Sequence, residues 1–125
     1  MSSERYTILS DLPRGRMRVK VTGFWDRATA DRFQAEVLSA FNRMRKIHKY
    51  YDAIFDMTEL EVLPADVAAA IQEFWKTIPE NGPDHVAVVV NRALLKMQSE
   101  RLAPDASIRR FADEAAAMEW LEQKS

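Results

Sequence analysis

The sequence predicts one α/β domain, residues 1–125, built from a mixed five-stranded sheet and four helices. Two strand patterns joined by a Pro- and Gly-containing turn open the chain, which indicates an antiparallel hairpin. Three strand–helix pairs then alternate, and such alternation requires parallel strands joined by right-handed crossovers. A chain of 125 residues, 47% hydrophobic and 30% charged, is long enough for one core and too short for two.

The opening hairpin is predicted at residues 6–9 and 16–21. Its second strand alternates apolar residues, predicted to face the core, with basic residues, predicted to face solvent: Met17, Val19 and Val21 against Arg16, Arg18 and Lys20. We interpret the basic residues as charges that protect an edge or near-edge strand from unwanted pairing. Docking of an acidic surface, lipid head groups or phosphates is the alternative, but no interleaved aromatics favour nucleic acid, and no nucleic-acid partner is expected.

The remaining strands are predicted at residues 53–55, 86–90 and 108–111, with a loop from Met57 to Pro64. Apolar stripes at spacings of three and four residues predict the buried helix faces. The first helix, capped by Asp26 or Thr29, presents Phe33, Val37, Phe41 and Met44. The second, from Pro64, presents Val67, Ile71, Phe74 and Ile78, and a shorter third helix contains Leu94, Leu95 and Leu102. The last helix, capped by Asp113, presents Ala117, Trp120 and Leu121.

Composition excludes several classes of chemistry. The chain has no Cys, two His and three Gly, so it offers no disulfide, no zinc ligand set and no glycine-rich phosphate loop. No catalytic motif is present, and we expect a protein that is not an enzyme and needs no cofactor or metal. Residues 1–50 carry 11 Lys and Arg against 5 Asp and Glu, whereas residues 51–125 carry 7 against 14. We expect these opposite charges to interleave in the folded chain.

The N-terminal residues lack the apolar stretch of a signal peptide, and no apolar run reaches the roughly 20 residues of a membrane span. A cytoplasmic location without an integral membrane segment is therefore expected.

Three segments carry a family resemblance. Residues 23–30, Gly-Phe-Trp-Asp-Arg-Ala-Thr-Ala, resemble the strand-end and helix-start motif of STAS domains, the anti-sigma-factor-antagonist fold. Residues 53–58, Ala-Ile-Phe-Asp-Met-Thr, resemble their central strand ending in Asp-x-Ser/Thr. Residues 110–121 are similar to the Ala-rich, Trp-Leu ending of the SpoIIAA-like bacterial group. The resemblance implies a small bacterial α/β domain whose relatives act by docking on partner proteins.

The resemblance also has a limit that bears on regulation. In the sporulation antagonists a serine of an Asp-Ser-Ser-Gly stretch is the switch, whereas the matching residues 59–66 contain no serine. A phosphoserine switch is therefore not implied for this chain. The SpoIIAA-like group also resembles lipid-transfer domains in fold, which keeps a carrier function open.

Our first hypothesis is a non-enzymatic interaction or regulatory module. Its contact surface is predicted at the carboxyl end of the central strand and on the following helix, where partners commonly bind open α/β sheets: Met57, Thr58, Leu60, Val62, Leu63 and Trp75. Replacing Leu60 and Leu63 with Asp should abolish partner capture and leave the melting temperature nearly unchanged. An equal loss of folding would mean that these residues are core and would contradict this contact surface. The alternative is that Trp75 only seals the sheet.

The second hypothesis is a carrier of a small apolar ligand or lipid. Its pocket would lie between the two long helices and the sheet, lined by Phe33, Phe41, Ile71 and Phe74. The same residues at helical spacing also suit an ordinary core. An enzyme would require a site assembled by the fold around Asp56, Thr58 and His85. A homodimer, through the exposed sheet face or the second helix, fits either leading hypothesis.

Overall fold

The computed structural model describes residues 5–77, 81–102 and 107–124. Strands and helices follow one another in the predicted order: β1 (Tyr6–Asp11), β2 (Arg16–Gly23), α1 (Arg27–Ile47), β3 (Asp52–Leu60), α2 (Ala65–Thr77), β4 (His85–Val89), α3 (Ala93–Leu102), β5 (Ile108–Phe111) and α4 (Glu114–Lys124).

The sheet has five strands in the order β1-β2-β3-β4-β5. β1 and β2 are antiparallel, and every later pair is parallel. The predicted fold class is therefore confirmed. The hairpin turn closes through Gly15, whose φ of 72° lies in the left-handed region that favours glycine.

The two sheet faces are covered unequally. α1, α2 and α3 pack on one face, where the alternate residues Met17, Val19 and Val21 of β2 lie in the main core. α4 packs on the other face against β3, β4 and β5. There Ile54, Ala87 and Val89 meet the predicted residues Ala117, Trp120 and Leu121 in a second cluster.

The predicted helix starts and stripes are largely confirmed. Asp26 is the N-cap of α1, and its carboxylate accepts the Thr29 N–H at 2.8 Å. The α1 stripe is buried, as are Val67 and Ile71 of α2, whereas Phe74 is half-buried. Asp113 accepts the Ala116 N–H at 2.8 Å at the start of α4. Ile78 and the side chain of Leu102 lie outside the described residues.

β3 is longer than the sequence indicates, because residues 57–60 extend the strand instead of forming a loop. Thr22 and Gly23 pair with Glu59 and Leu60 after a register shift between Lys20 and Thr22. A bulge of this kind adds twist and realigns side chains. Read alone, residues 57–60 indicate a loop. They extend β3 because β2 pairs with them.

The prediction that Arg16 faces solvent is wrong. Its guanidinium is buried and forms two hydrogen bonds with the Asp52 carboxylate, at 2.7 and 2.9 Å, and a third with Glu122 at 2.9 Å. Arg18 and Lys20 are exposed as predicted. β2 lies next to the edge strand β1, which agrees with the predicted near-edge position, and it is paired on both sides, by β1 and β3.

Candidate functional site

The carboxyl ends of β2, β3 and β4 meet at one edge of the sheet, where three segments are tied together. The Glu61 N–H donates to the Gly23 carbonyl at 3.0 Å, which joins the segment after β3 to the end of β2. Arg92, just before α3, lies 3.7 Å from the Glu61 carboxylate. The Gln98 amide of α3 binds both backbone polar groups of Leu63, each at 2.9 Å. These contacts fix α3 beside the β3–α2 connection.

Four exposed apolar side chains lie at this edge, and we call them the apolar rim: Phe24, Val62, Leu94 and Met97. They are 57%, 47%, 71% and 52% exposed. Phe24 and Val62 follow the hydrogen-bonded residues Gly23 and Glu61. Leu94 and Met97 share one face of α3. In the sequence Leu94 lies between Arg92 and Gln98, which contact the two neighbours of Val62, Glu61 and Leu63. The rim therefore combines two loops and a helix.

The predicted contact residues separate into surface and core. Val62 is exposed, and Thr58 and Trp75 are half-buried. Met57, Leu60 and Leu63 are buried, with Leu60 3% and Leu63 6% exposed. Their expected accessibility is therefore corrected, because the extension of β3 turns Leu60 inward and the Gln98 clamp holds Leu63 under α3. Asp at position 60 or 63 is therefore expected to disrupt folding, which is the outcome that contradicts a contact surface made of Leu60 and Leu63.

The structure separates the three residues on which an assembled catalytic site would depend. The Thr58 hydroxyl donates to the Asp56 carboxylate at 2.7 Å, close to the carboxyl end of β3. His85 begins β4 and pairs with Asp52 in the sheet register, at the opposite end. Its ring contacts the Tyr50 hydroxyl at 3.2 Å instead. Asp56, Thr58 and His85 therefore form no common site.

An apolar cavity of about 70 Å³ lies between the sheet and the helices of the larger layer. It is lined by Val21, Trp25, Phe33, Phe55, Met57, Leu60, Leu63, Ile71, Trp75, Val88, Ser99, Ile108 and Arg110. The lining combines four residues predicted for partner binding with two predicted for ligand binding, Phe33 and Ile71. Phe41 and Phe74 do not line it. Phe41 is fully buried in the main core, and Phe74 packs against that core beside Trp75.

Two lining residues, Ser99 and Arg110, are polar, and sequence reasoning did not single them out as a site. The Arg110 Nε donates to the Ser99 hydroxyl oxygen at 3.2 Å, and an Nη donates to the Ser99 carbonyl at 2.5 Å. Burial lowers the pKa of Arg110 from its ordinary value. The alternation of side chains along β5 could have indicated this site. It places Ile108 and Arg110 on the sheet face that the three helices cover and Arg109 on the other face.

Neither a cluster of metal-ligating side chains nor a membrane-spanning helix occurs among the described residues. Residues 5–77, 81–102 and 107–124 contain no group of three or more His, Asp or Glu placed to hold a metal ion. None of the helices described is both long and apolar enough to cross a bilayer.

Comparison with known families decides the identity of the fold. The SpoIIAA-like family model matches residues 16–122. The chain belongs to the SpoIIAA-like family. The match begins at Arg16 and ends at Glu122, the two residues whose side chains join β2 to α4. No curated protein matches the sequence of this SpoIIAA-like protein.

Two solved structures resemble this SpoIIAA-like protein over nearly its whole length. An uncharacterised DUF3478-family protein with a SpoIIAA-like fold from Shewanella loihica PV-4 is 19% identical, with a TM-score of 0.67. The alignment covers 97% of this chain and 98% of that one. An anti-sigma factor antagonist from Mycobacterium paratuberculosis is 14% identical, with a TM-score of 0.58, and the alignment covers 98% and 99%. At these identities the likeness shows the fold alone.

Proposed function

We propose that this SpoIIAA-like protein is a non-enzymatic regulatory module that docks on another protein through the apolar rim. The observation that carries the proposal is the concentration of exposed apolar side chains. Among the described residues, four of the six large apolar side chains that are exposed belong to the rim, and the other two are Leu9 and Ile47. The structural neighbour named as an anti-sigma factor antagonist supports a protein as the partner.

The composition of this edge suits a protein contact. Burying a Val, Leu, Phe or Met side chain contributes roughly 1.5–3 kcal/mol, so four such residues supply a useful apolar centre. The Arg92–Glu61 pair borders that centre with charge, in the pattern of an apolar core and a polar rim that protein interfaces show. Residues 59–66 lack serine, so the proposed docking does not depend on a phosphoserine in that segment.

Site-specific photo-crosslinking in the native cells tests the docking surface. A photoreactive amino acid at position 62 should give a discrete adduct with one protein, whereas the same probe at position 47 should not. Leu94→Asp should abolish the adduct, because a carboxylate in the centre of the contact would be desolvated without a partner. The melting temperature should change little, since Leu94 is 71% exposed.

Ile47→Asp is the matched control, because Ile47 is 55% exposed and lies at the far end of α1. It should leave the adduct at position 62 intact. No adduct from position 62, or equal loss with both Asp variants, would contradict docking through the rim.

A second candidate function is a carrier of a small apolar ligand, and the cavity favours it. Native mass spectrometry of the protein purified from its own cells should then show an additional bound mass on each chain. The same spectrum would test the homodimer that the sequence left open. A bare chain mass from several growth conditions would count against the carrier.

A further inference from the structure

We propose that Met97 is a reversible oxidation site through which a hydroperoxide controls docking at the apolar rim. The thioether form of Met97 allows the rim to bind its protein partner, and the sulfoxide form weakens that contact. This inference rests on the proposed docking function, to which it adds a modification site and a means of regulation. The step is a two-electron oxidation of sulfur, which methionine sulfoxide reductases reverse.

The first argument is that Met97 is the accessible methionine among the described residues. The sequence contains no Cys and six Met, so its sulfur chemistry is that of thioethers. Five of these methionines lie in the part of the chain that the structure describes. Met17, Met44 and Met57 are buried, and Met118 is half-buried against the second cluster. Met97 is 52% exposed, so an oxidant in solution reaches its side chain first.

The second argument is the position of Met97 within the rim. Leu94 and Met97 are three residues apart on one helical face, so their side chains are neighbours on the surface. The adjacent residue Gln98 binds both backbone polar groups of Leu63, which fixes this part of α3 beside the β3–α2 connection. A chemical change at Met97 therefore takes place within a docking surface whose position is fixed.

The third argument is the change of polarity that oxidation produces. A hydroperoxide transfers one oxygen to the thioether: the S–O bond forms as the O–O bond breaks, and the sulfur loses two electrons. With hydrogen peroxide, the proton of the transferred oxygen moves to the departing oxygen, which leaves as water. The product is a polar sulfoxide on a side chain that was apolar. Partner binding would bury the sulfoxide oxygen, and burying a polar group without a hydrogen bond is unfavourable.

Oxidation of the complete purified protein, with a photoreactive amino acid at position 62, tests the inference. After hydrogen peroxide treatment, peptide mass spectrometry should find one added oxygen at Met97 before any other described methionine. The oxidised protein is then freed of peroxide and irradiated in an untreated extract of its own cells. The apparent affinity for the crosslinked partner should fall about tenfold, with the melting temperature unchanged. Methionine sulfoxide reductase with dithiothreitol should restore the affinity.

Met97→Leu is the decisive variant, because leucine keeps an apolar side chain and contains no sulfur. Each variant is compared with its own untreated sample, and peroxide should not alter the adduct yield of Met97→Leu. Met118→Leu is the matched control, since it removes a half-buried thioether that packs outside the rim. It should respond to peroxide as the unaltered sequence does. Met97→Gln, which places a polar amide in the rim, should weaken the adduct without any oxidant.

The outcomes separate this regulation from the docking on which it rests. Complete oxidation of Met97 with an unchanged adduct would overturn the regulation and keep docking at the rim. Equal sensitivity of Met97→Leu to peroxide would also overturn it, because the effect would then belong to another group. Faster oxidation of a buried methionine than of Met97 would overturn the assignment of the site. Absence of an adduct from position 62 before oxidation would contradict docking, and the regulation with it.

Discussion

At the scale of single residues, the Arg16–Asp52 pair is an ion pair in a buried position. Asp52 is 1% exposed, and both of its carboxylate oxygens accept from Arg16. The hydrogen bonds with Asp52 and Glu122 raise the pKa of Arg16, because they stabilise its charged form. Such a pair contributes little to the free energy of unfolding compared with an apolar replacement. Removing one partner, however, leaves the other charge buried without its counter-charge.

We therefore expect Asp52→Ala to lower the free energy of unfolding by about 3–5 kcal/mol, measured by urea denaturation. Asp31→Ala is the control, because the Arg27–Asp31 pair is exposed and should contribute less than about 1 kcal/mol. The double variant Arg16→Met with Asp52→Leu should recover most of the loss. A small effect of Asp52→Ala alone would show that Glu122 and water replace the carboxylate.

Tyr51 makes the stability depend on alkaline pH. Its ring is fully buried and its hydroxyl donates to the Asn81 carbonyl. Burial raises the pKa of Tyr51 well above its ordinary value. Since the folded state favours the protonated phenol, its contribution is fully present below the unfolded pKa of about 10. That contribution is lost as the pH rises from there toward the folded pKa.

Tyr51→Phe should therefore reduce the fall in unfolding free energy between about pH 9 and pH 11, followed by urea titration at each pH. Some dependence should remain, because burial also raises the pKa of Tyr6 and of Tyr50. An unchanged slope would mean that the Tyr51 phenol ionises as easily in the folded chain as in the unfolded one.

At the scale of elements, Trp120 is the largest side chain with which α4 covers its sheet face. Trp120 packs against Phe111 and His85, with ring centroids 5.6 Å apart in both pairs. Within the described part of the chain, α4 is the helix that meets the second cluster, Ile54, Ala87 and Val89. The packing on this face of the sheet therefore depends on α4.

Trp120→Ala should cost about 3–5 kcal/mol, whereas Glu119→Ala, on the exposed side of α4, should have little effect. Guanidinium unfolding followed by circular dichroism and by tryptophan fluorescence gives the measurement. Coincident curves would support the proposal that residues 1–125 form one domain. Separate transitions for the two probes would contradict it.

At the scale of the whole molecule, the success of sequence reasoning depended on the range of each interaction. β5 and the start of α4 were predicted correctly because strand period and capping are local signals. The burial of Leu60 required the pairing of β3 with β2 beyond a bulge, and the Arg16 partner lies 36 residues away. The polar end of the cavity forms because α3 and β5 are adjacent. The sequence around Ser99 or Arg110 does not show that these two elements are neighbours.

The opposite charges of the two sequence halves interleave in the described structure, as expected. Arg16 of the first half pairs with Asp52 and Glu122 of the second, and Arg45 pairs with Asp84. The exposed cations of β2, Arg18 and Lys20, face Glu114 and Glu59. Arg16, Arg18, Lys20 and Arg45 are therefore paired with acidic residues of the other half of the sequence.

The contact between Arg16 and Glu122 spans 106 residues, and this separation bears on folding during synthesis. β2 is synthesised long before α4. While translation continues, Arg16 and the apolar face of Ile54, Ala87 and Val89 therefore lack their contacts with α4. We expect the sheet to stay open to chaperones until α4 leaves the exit tunnel. The domain would then complete its fold only after α4 has been synthesised.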